Sequence, residues 1–160
     1  MILGLISDTH DKLSRTKTAV QMLRDHGAEA LIHCGDFVEP HMLSACAILP
    51  FWFVFGNNDS AWELRDTAYD CGAACLEWGG VVKLAGKRIG VAHGHSSDDV
   101  ERVLDEKPHY LLYGHSHVAA QEVENGVRYI NPGALHRASE YTVALLDLKT
   151  DDLKWLTVPR

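Results

Sequence analysis

Five short apolar runs in this chain each end in a cluster of polar residues, and this repeated pattern restricts the folds that the chain can adopt. The runs have the length and the aliphatic and aromatic content of buried strands. The clusters that follow them are, in chain order, Ser7-Asp8-Thr9-His10, Cys34-Gly35-Asp36, Gly56-Asn57-Asn58-Asp59, His93-Gly94-His95 and Gly114-His115-Ser116-His117. In an α/β fold, ligands bind beyond the carboxyl ends of the strands, where the loops are free to carry chemistry. We therefore expect the five clusters to converge on one rim.

The first half of the chain alternates strand-like runs with helical segments, which predicts βαβ units around a largely parallel sheet. The spacing of apolar residues predicts helices over 13–26, 42–49 and 61–68. Gly27 stands where a cap at the carboxyl end of the first helix belongs.

The second half of the chain is rich in hairpin signals. Asn125-Gly126 separates two short strand-like runs, and this dipeptide is a strong hairpin signal. We expect one helix over 98–104 and a final antiparallel pair over 141–148 and 153–158. The change of pattern predicts two sheets, a mixed α/β half and a hairpin-rich half, packed face to face with helices outside.

At 160 residues the chain has the usual length of one domain, and we expect a single domain over 1–160. The four cysteines (Cys34, Cys46, Cys71 and Cys75) form no paired metal motif, and we interpret them as mostly buried thiols in a reducing compartment. No apolar stretch approaches the roughly 20 residues that span a bilayer, and no charged leader precedes the first strand. These features predict a cytoplasmic protein without a membrane partner.

A formal net charge of −7 argues against a stable nucleic-acid complex, which requires clustered lysine and arginine. It does not exclude an anionic substrate. Two divalent ions beside Asp8 and Asp36 would leave a local charge of about +2 before any hydroxide binds. Local charge, rather than net charge, would then capture a phosphate.

The five clusters together supply carboxylates, imidazoles and an amide oxygen, the mixed oxygen and nitrogen set that divalent transition metals accept. Each cluster alone is common, and helix caps or polar turns are the alternative interpretation. In this order, and each after an apolar run, they make the chain resemble the calcineurin-like metallophosphoesterase superfamily, most closely its small bacterial and archaeal phosphodiesterase branch. The resemblance extends from Ser7 to Gly133.

This resemblance implies an α/β fold, a four-layer α/β/β/α sandwich of two mixed β-sheets flanked by helices. It also implies two divalent metal ions, with Mn²⁺ expected and Ni²⁺, Fe²⁺ or Zn²⁺ as alternatives. The implied ligands are Asp8, His10 and His117 for the first ion, Asn57, His93 and His115 for the second, and Asp36 as the bridge. The implied reaction is the hydrolysis of small phosphodiesters, nucleotide-derived ones included, by a hydroxide held between the ions.

One position departs from the superfamily pattern. Many members have histidine where this chain has Asn58, and an amide cannot protonate a leaving group. We predict that Asn58 hydrogen-bonds a phosphoryl oxygen and that His95 is the catalytic proton donor, with support of a ligand as the alternative role for His95. We expect His33 to be a core or supporting residue, and His136 either to contact substrate or to lie beside the site.

Other functions remain open on the sequence. A phosphomonoesterase or a dinucleoside-polyphosphate hydrolase would use the same ligands. The resemblance also includes a non-catalytic protein-binding scaffold with a degraded metal site, against which the intact His10 and His115 argue. A nuclease is disfavoured by the acidic balance. A homo-oligomer is compatible with the sequence.

Overall fold

Eleven strands form two mixed β-sheets in the computed structural model, which describes all 160 residues. In chain order the strands are β1 Ile2–Ile6, β2 Ala30–His33, β3 Phe51–Phe53, β4 Ala74–Cys75, β5 Gly79–Leu84, β6 Lys87–Ala92, β7 Tyr110–Leu112, β8 Ala120–Glu124, β9 Val127–Asn131, β10 Thr142–Asp147 and β11 Leu153–Thr157. The first sheet has the order β11-β10-β1-β2-β3-β4, and the second has the order β5-β6-β7-β9-β8.

Four helices flank the sheets: α1 Leu13–Asp25, α2 Leu43–Cys46, α3 Ala61–Cys71 and α4 Ser97–Asp105. Helices α1 and α4 confirm the predictions for those segments within a residue at each end. None of the four has the length and apolar composition that crossing a membrane requires.

The predicted helix over 42–49 is shorter in the structure. A 3-10 turn over Pro40–Met42 leads directly into the four residues of α2. Pro50 disfavours helical geometry at Leu49, so the helix does not extend to the predicted end. Helix α3 is longer than its predicted range of 61–68, because Gly72 caps it in a left-handed conformation with φ of +70°.

Three apolar cores hold the layers together. The largest lies between the first sheet and the helices α1, α2 and α3, with Phe37 and Phe53 at its centre. The second lies between the two sheets and includes Leu5, Ile32 and Leu112. A small third core packs Val103 of α4 against the second sheet. This layering confirms the predicted fold of two mixed sheets flanked by helices.

The final antiparallel pair, β10 and β11, does not belong to the hairpin-rich sheet, which corrects the expectation that each half of the chain builds one sheet. Strand β10 pairs antiparallel with β1, with Leu5 opposite Ala144. Its first five residues are buried. A strand buried on both faces requires a central position, and the place beside β1 supplies it.

The strands that precede the five polar clusters run parallel where they are neighbours. Strands β1, β2 and β3 are parallel in the first sheet, and β6 and β7 are parallel in the second. Their carboxyl ends therefore point the same way within each sheet, so that the loops that follow them carry the candidate residues to one rim.

Candidate metal centre

Two carboxylates from different strand ends are buried at this rim. Asp8 follows β1 and is fully buried, and Asp36 follows β2 and is 1% exposed. Asp8 Oδ2 accepts hydrogen bonds from Ser7 Oγ at 2.6 Å and from the backbone N–H of His115 at 3.1 Å. Asp36 accepts from Asn58 twice, at Oδ1 from the backbone N–H (2.9 Å) and at Oδ2 from the side-chain amide (2.8 Å). These donors fix the positions of both side chains.

Three imidazoles direct Nε2 towards the two carboxylates. His10 Nε2 lies 3.3 Å from Asp36 Oδ2, and His93 Nε2 lies 3.4 Å from the same oxygen. His117 Nε2 lies 3.1 Å from Asp8 Oδ1. Asp8 Oδ1, His10 Nε2 and His93 Nε2 are buried without a hydrogen bond of good geometry. Buried polar atoms are normally paired, so a convergent set of unpaired oxygen and nitrogen donors fits divalent cations.

Two triads of these side chains place their ligand atoms within 4.8 Å of one another. One triad is Asp8, His10 and His117, and the other is Asp8, Asp36 and His93. Asp8 is common to both, whereas the resemblance gave the bridging role to Asp36. Asp36 Oδ2 nevertheless lies within 3.4 Å of both His10 and His93, so both carboxylates stand between the histidines.

The remaining two predicted ligands lie further out. The His115 ring is exposed, and its centroid is 5.2 Å from that of His93. Asn57 is exposed in the loop after β3. The assignment of both residues to a second metal ion stays a prediction.

Electrostatics at the rim favour positive charge between the carboxylates. Burial opposes ionisation of Asp36, but His10, His93 and the backbone N–H of Asn58 hold the pKa of its carboxyl well below its usual range. Burial would lower the pKa of His93, yet the charges of Asp36 and Asp8 raise it above its ordinary value. The negative charge of the two carboxylates would stabilise a metal cation in the same way as it stabilises a proton on His93.

The tautomer of His93 suits a metal ligand. Its Nδ1 lies 2.8 Å from the backbone carbonyl oxygen of Cys34, to which Nδ1–H donates. The lone pair of Nε2 is then left facing Asp8 and Asp36. A hydrogen bond from the other ring nitrogen to a carbonyl is the usual support of a ligand histidine.

Five of the candidate residues adopt left-handed backbone conformations. Their φ angles are +51° for Asp8, +41° for His10, +62° for Asp36, +66° for His115 and +59° for His117. Such angles are uncommon outside glycine, and strained residues cluster at functional sites. These five left-handed residues therefore indicate that the loop backbone is constrained to direct the candidate side chains.

Asp59, which the sequence placed in the third cluster without a role, holds two of the loops together. Its Oδ2 accepts the backbone N–H groups of Asp36 at 2.9 Å and Gly56 at 2.8 Å, and its Oδ1 accepts that of Val38 at 2.8 Å. Aspartate commonly accepts nearby N–H groups in turns, and this was the available sequence signal.

Asn131 performs the same task for the fifth loop and was also missed. This fully buried side chain donates from Nδ2 to the carbonyl oxygen of Gly114 at 2.9 Å and to Ser116 Oγ at 3.0 Å. Its Oδ1 accepts the N–H of Gly133 at 2.9 Å. Asn131 thus fixes the segment between His115 and His117.

His33 lies in the core, as the sequence predicted. Its ring stacks on Phe37 with centroids 3.5 Å apart. Its Nδ1 accepts the N–H of Gly35 at 3.1 Å, so Nε2–H is the donor to Thr9 Oγ1 at 3.2 Å. Burial lowers the pKa of His33, and the neutral ring links the first two loops.

The other predicted site residues border the centre. The His95 ring lies 5.4 Å from that of His93, and burial, together with His93 and His115, lowers its pKa. His136 lies 4.7 Å from His10, ring to ring. The amide of Asn58 is occupied by Asp36, so its predicted contact with a phosphoryl oxygen stays a prediction.

Comparison with known proteins agrees with this geometry. The chain matches the calcineurin-like phosphoesterase superfamily domain over residues 1–151. It is 29% identical to phosphodiesterase MJ0936 of Methanocaldococcus jannaschii over 138 residues, which cover 83% of each protein. It is 27% identical over 157 residues to the Bacillus subtilis protein named "Probable metallophosphoesterase YsnB", with 89% of this chain and 83% of that protein covered.

A solved structure shares the whole fold. The structure of an archaeal phosphodiesterase superposes with a TM-score of 0.88 at 26% identity and covers 99% of this chain and 100% of its own. The chain therefore belongs to the calcineurin-like phosphoesterase superfamily, and it is a phosphoester hydrolase.

Replacement of Gly114 by alanine should impair metal binding. The added Cβ would lie 2.0 Å from Ser7 Oγ and 2.6 Å from Asp8 Oδ2, so the paired side chains must move. Loss of such a supporting contact lowers metal affinity about 10- to 100-fold. Isothermal titration with Mn²⁺ measures the change.

The matched control is Gly80→Ala in β5, whose new Cβ would meet Leu76 at an ordinary 3.4 Å. This variant should titrate like the wild type. An unchanged affinity in Gly114→Ala would show that Asp8 does not need its present position to bind the ion.

Proposed function

We propose that this protein is a dinuclear-metal phosphodiesterase that hydrolyses small phosphodiesters. The observation that carries the proposal is the convergence of buried, unpaired donor atoms, namely Asp8 Oδ1, His10 Nε2 and His93 Nε2, on one rim. The superfamily supplies the reaction class, and two of the similar proteins are named phosphodiesterases.

The proposed ligands extend the two triads that the structure brings together. They are Asp8, His10 and His117 for one ion, Asn57, His93 and His115 for the other, and Asp36 between them. When bound, the ions would lower the pKa of a water and neutralise charge on the phosphoryl oxygens. Mixed oxygen and nitrogen ligands suit Mn²⁺, and Ni²⁺, Fe²⁺ or Zn²⁺ would fit the same set.

The protein itself contributes by positioning the proposed metal ligands. Phosphoryl transfer places few covalent demands on a protein, so fixed ligands and stabilised charge are the main requirements. Asn58 and Ser7 orient the two carboxylates, and the carbonyl of Cys34 orients His93. The exposed His115 lies on the side where an ester can approach.

Cellular location is part of the proposal. All four cysteines are free. Burial raises the pKa of Cys46 to about 12, which makes this thiol unreactive. Free thiols are usual in reducing compartments, and we propose a cytoplasmic enzyme.

Turnover by metal-free protein resupplied with one ion at a time tests the function. Bis(p-nitrophenyl) phosphate and p-nitrophenyl phosphate release the same coloured product, so a difference in rate reports the ester class. We expect turnover only with added metal, faster with Mn²⁺ than with Zn²⁺, and a higher kcat/KM for the diester.

A higher kcat/KM for the monoester would show that the protein is a phosphomonoesterase instead. Turnover restricted to dinucleoside polyphosphates would show that it is a dinucleoside-polyphosphate hydrolase. Full activity of metal-free protein would contradict the metal centre. Recovery of the activity of the untreated protein when metal is restored controls for damage during metal removal.

Removal of one charge from the shared carboxylate should affect both ions. Asp36→Asn should reduce bound metal below one ion per chain, because Asp36 is the proposed bridge, whereas His117→Ala should retain about one, because His117 is a proposed ligand of one ion only. Metal analysis by plasma mass spectrometry after dialysis gives both values. Two ions in each variant would refute the bridging role of Asp36.

The same analysis on Asp8→Asn decides which carboxylate is shared, because Asp8 belongs to both triads. A loss of both ions in Asp8→Asn and of one in Asp36→Asn would transfer the bridging role to Asp8.

We also propose that His95 supplies the proton to the leaving group. Loss of the His95 imidazole should slow hydrolysis most for esters whose leaving alcohol is weakly acidic, because general acid catalysis contributes about 100-fold or more to such reactions. Rates for a series of aryl methyl phosphates therefore should depend more steeply on the pKa of the leaving phenol in His95→Ala than in the wild type.

His136→Ala is the matched variant, because His136 borders His10 as His95 borders His93. An unchanged slope in His95→Ala would disprove the assignment. A steeper slope only in His136→Ala would give the role to His136.

A further inference from the structure

One large apolar side chain stands at the edge of the metal centre without being buried. Trp78 is 38% exposed. Its ring packs edge-on against Phe55, with centroids 5.4 Å apart, and its other neighbour is the His95 ring at 6.1 Å. His95 in turn lies 5.4 Å from His93 and 6.1 Å from His115. The indole is thus separated from two candidate ligands by a single imidazole.

The segment that carries Trp78 is firmly held. It joins β4 of the first sheet to β5 of the second. The backbone carbonyl of Glu77 accepts the N–H of Phe55 at 2.8 Å, and the Glu77 side chain pairs with Arg65 through two hydrogen bonds. Glu77 itself is left-handed, with φ of +59°, which turns the chain before the indole. A fixed aromatic surface loses little conformational entropy when a ligand packs against it.

The exposed part of the Trp78 indole is accessible to a ligand. Its ring neighbours are Phe55 and His95, and His95 lies beside the candidate ligands His93 and His115, so this partly exposed indole stands next to the rim. Aromatic side chains beside an electropositive site are a common way to hold nucleobases, because every base has a π-face. The net charge of two divalent ions would hold the phosphate of such a ligand, and the indole would hold its base.

We infer that Trp78 is a substrate-binding residue that stacks on a planar aromatic group of the ester, and that the preferred substrates are phosphodiesters bearing a nucleobase. This inference deepens the proposed function and rests on it. Stacking adds binding energy away from phosphorus, so it should act on KM for nucleotide esters and leave simple alkyl esters unaffected.

Two substrates with the same leaving group isolate the effect. Thymidine 5′-(p-nitrophenyl phosphate) and methyl p-nitrophenyl phosphate both release p-nitrophenol and differ only in the retained ester group. Trp78→Ala should raise KM for the thymidine ester about tenfold and leave KM for the methyl ester unchanged. Trp78→Phe, which keeps a π-face, should retain most of the affinity.

Trp62→Ala is the control, since Trp62 is a 72% exposed tryptophan on α3. It should match the wild type with both substrates. Equal losses on both substrates in Trp78→Ala, or a wild type that does not prefer the thymidine ester, would overturn the inference while leaving the phosphodiesterase proposal intact.

A binding measurement separates the two proposals if no turnover is found. Thymidine 5′-monophosphate added to Mn²⁺-loaded wild type should quench tryptophan fluorescence. Trp78→Phe should lose this quenching, and Trp62→Phe should keep it. Quenching that persists in Trp78→Phe, or none in the wild type, would refute the stacking role.

Discussion

The burial of two carboxylates at one rim is the constraint on which the rest of this structure depends. Removing Asp8 and Asp36 from water costs several kcal/mol per charge unless each oxygen is paired. Ser7, Asn58 and the N–H of His115 pair three of the four oxygens, and Asp8 Oδ1 has no donor. A cation between the histidines would complete the compensation, so folding of the rim and binding of metal would be thermodynamically linked.

The approach of the loops to these carboxylates explains why glycines precede the ligands. A Cβ at Gly35 would lie 2.7 Å from His93 Nδ1, and one at Gly56 would lie 2.1 Å from Asp36 Oδ1. The residues that follow Gly35 and Gly114 are left-handed, at a cost of about 1–3 kcal/mol each. The hydrogen bonds that Asp59 accepts and Asn131 donates oppose this cost and keep the ligands in place before any ion binds.

The sequence predicted the parts of this arrangement that local pattern determines. Apolar runs followed by polar clusters located the strand ends, and the structure brings Asp8, His10, Asp36, His93 and His117 together there. The expectation that β10 belongs to the hairpin-rich sheet was wrong, because an antiparallel pattern does not specify which sheet a strand joins. The tasks of Asp59 and Asn131, and the contact of Asn58 with Asp36, depend on hydrogen bonds between residues far apart in sequence, which no local pattern reveals.

Selectivity between phosphoesters must come from residues other than the proposed metal ligands. A pair of cations between Asp8 and Asp36 would attract any phosphoester, because charge does not distinguish one ester group from another. The groups that differ in chemistry are the bordering side chains, which are His95 beside His93, Trp78 beside His95, and His136 beside His10. Trp78 lies in the segment that joins the two sheets, so the connection that assembles the sandwich also places an aromatic surface at the edge of the candidate metal centre. In this fold, therefore, the loops from parallel strands would determine the chemistry, while the crossover between the sheets would determine which ester is retained long enough to react.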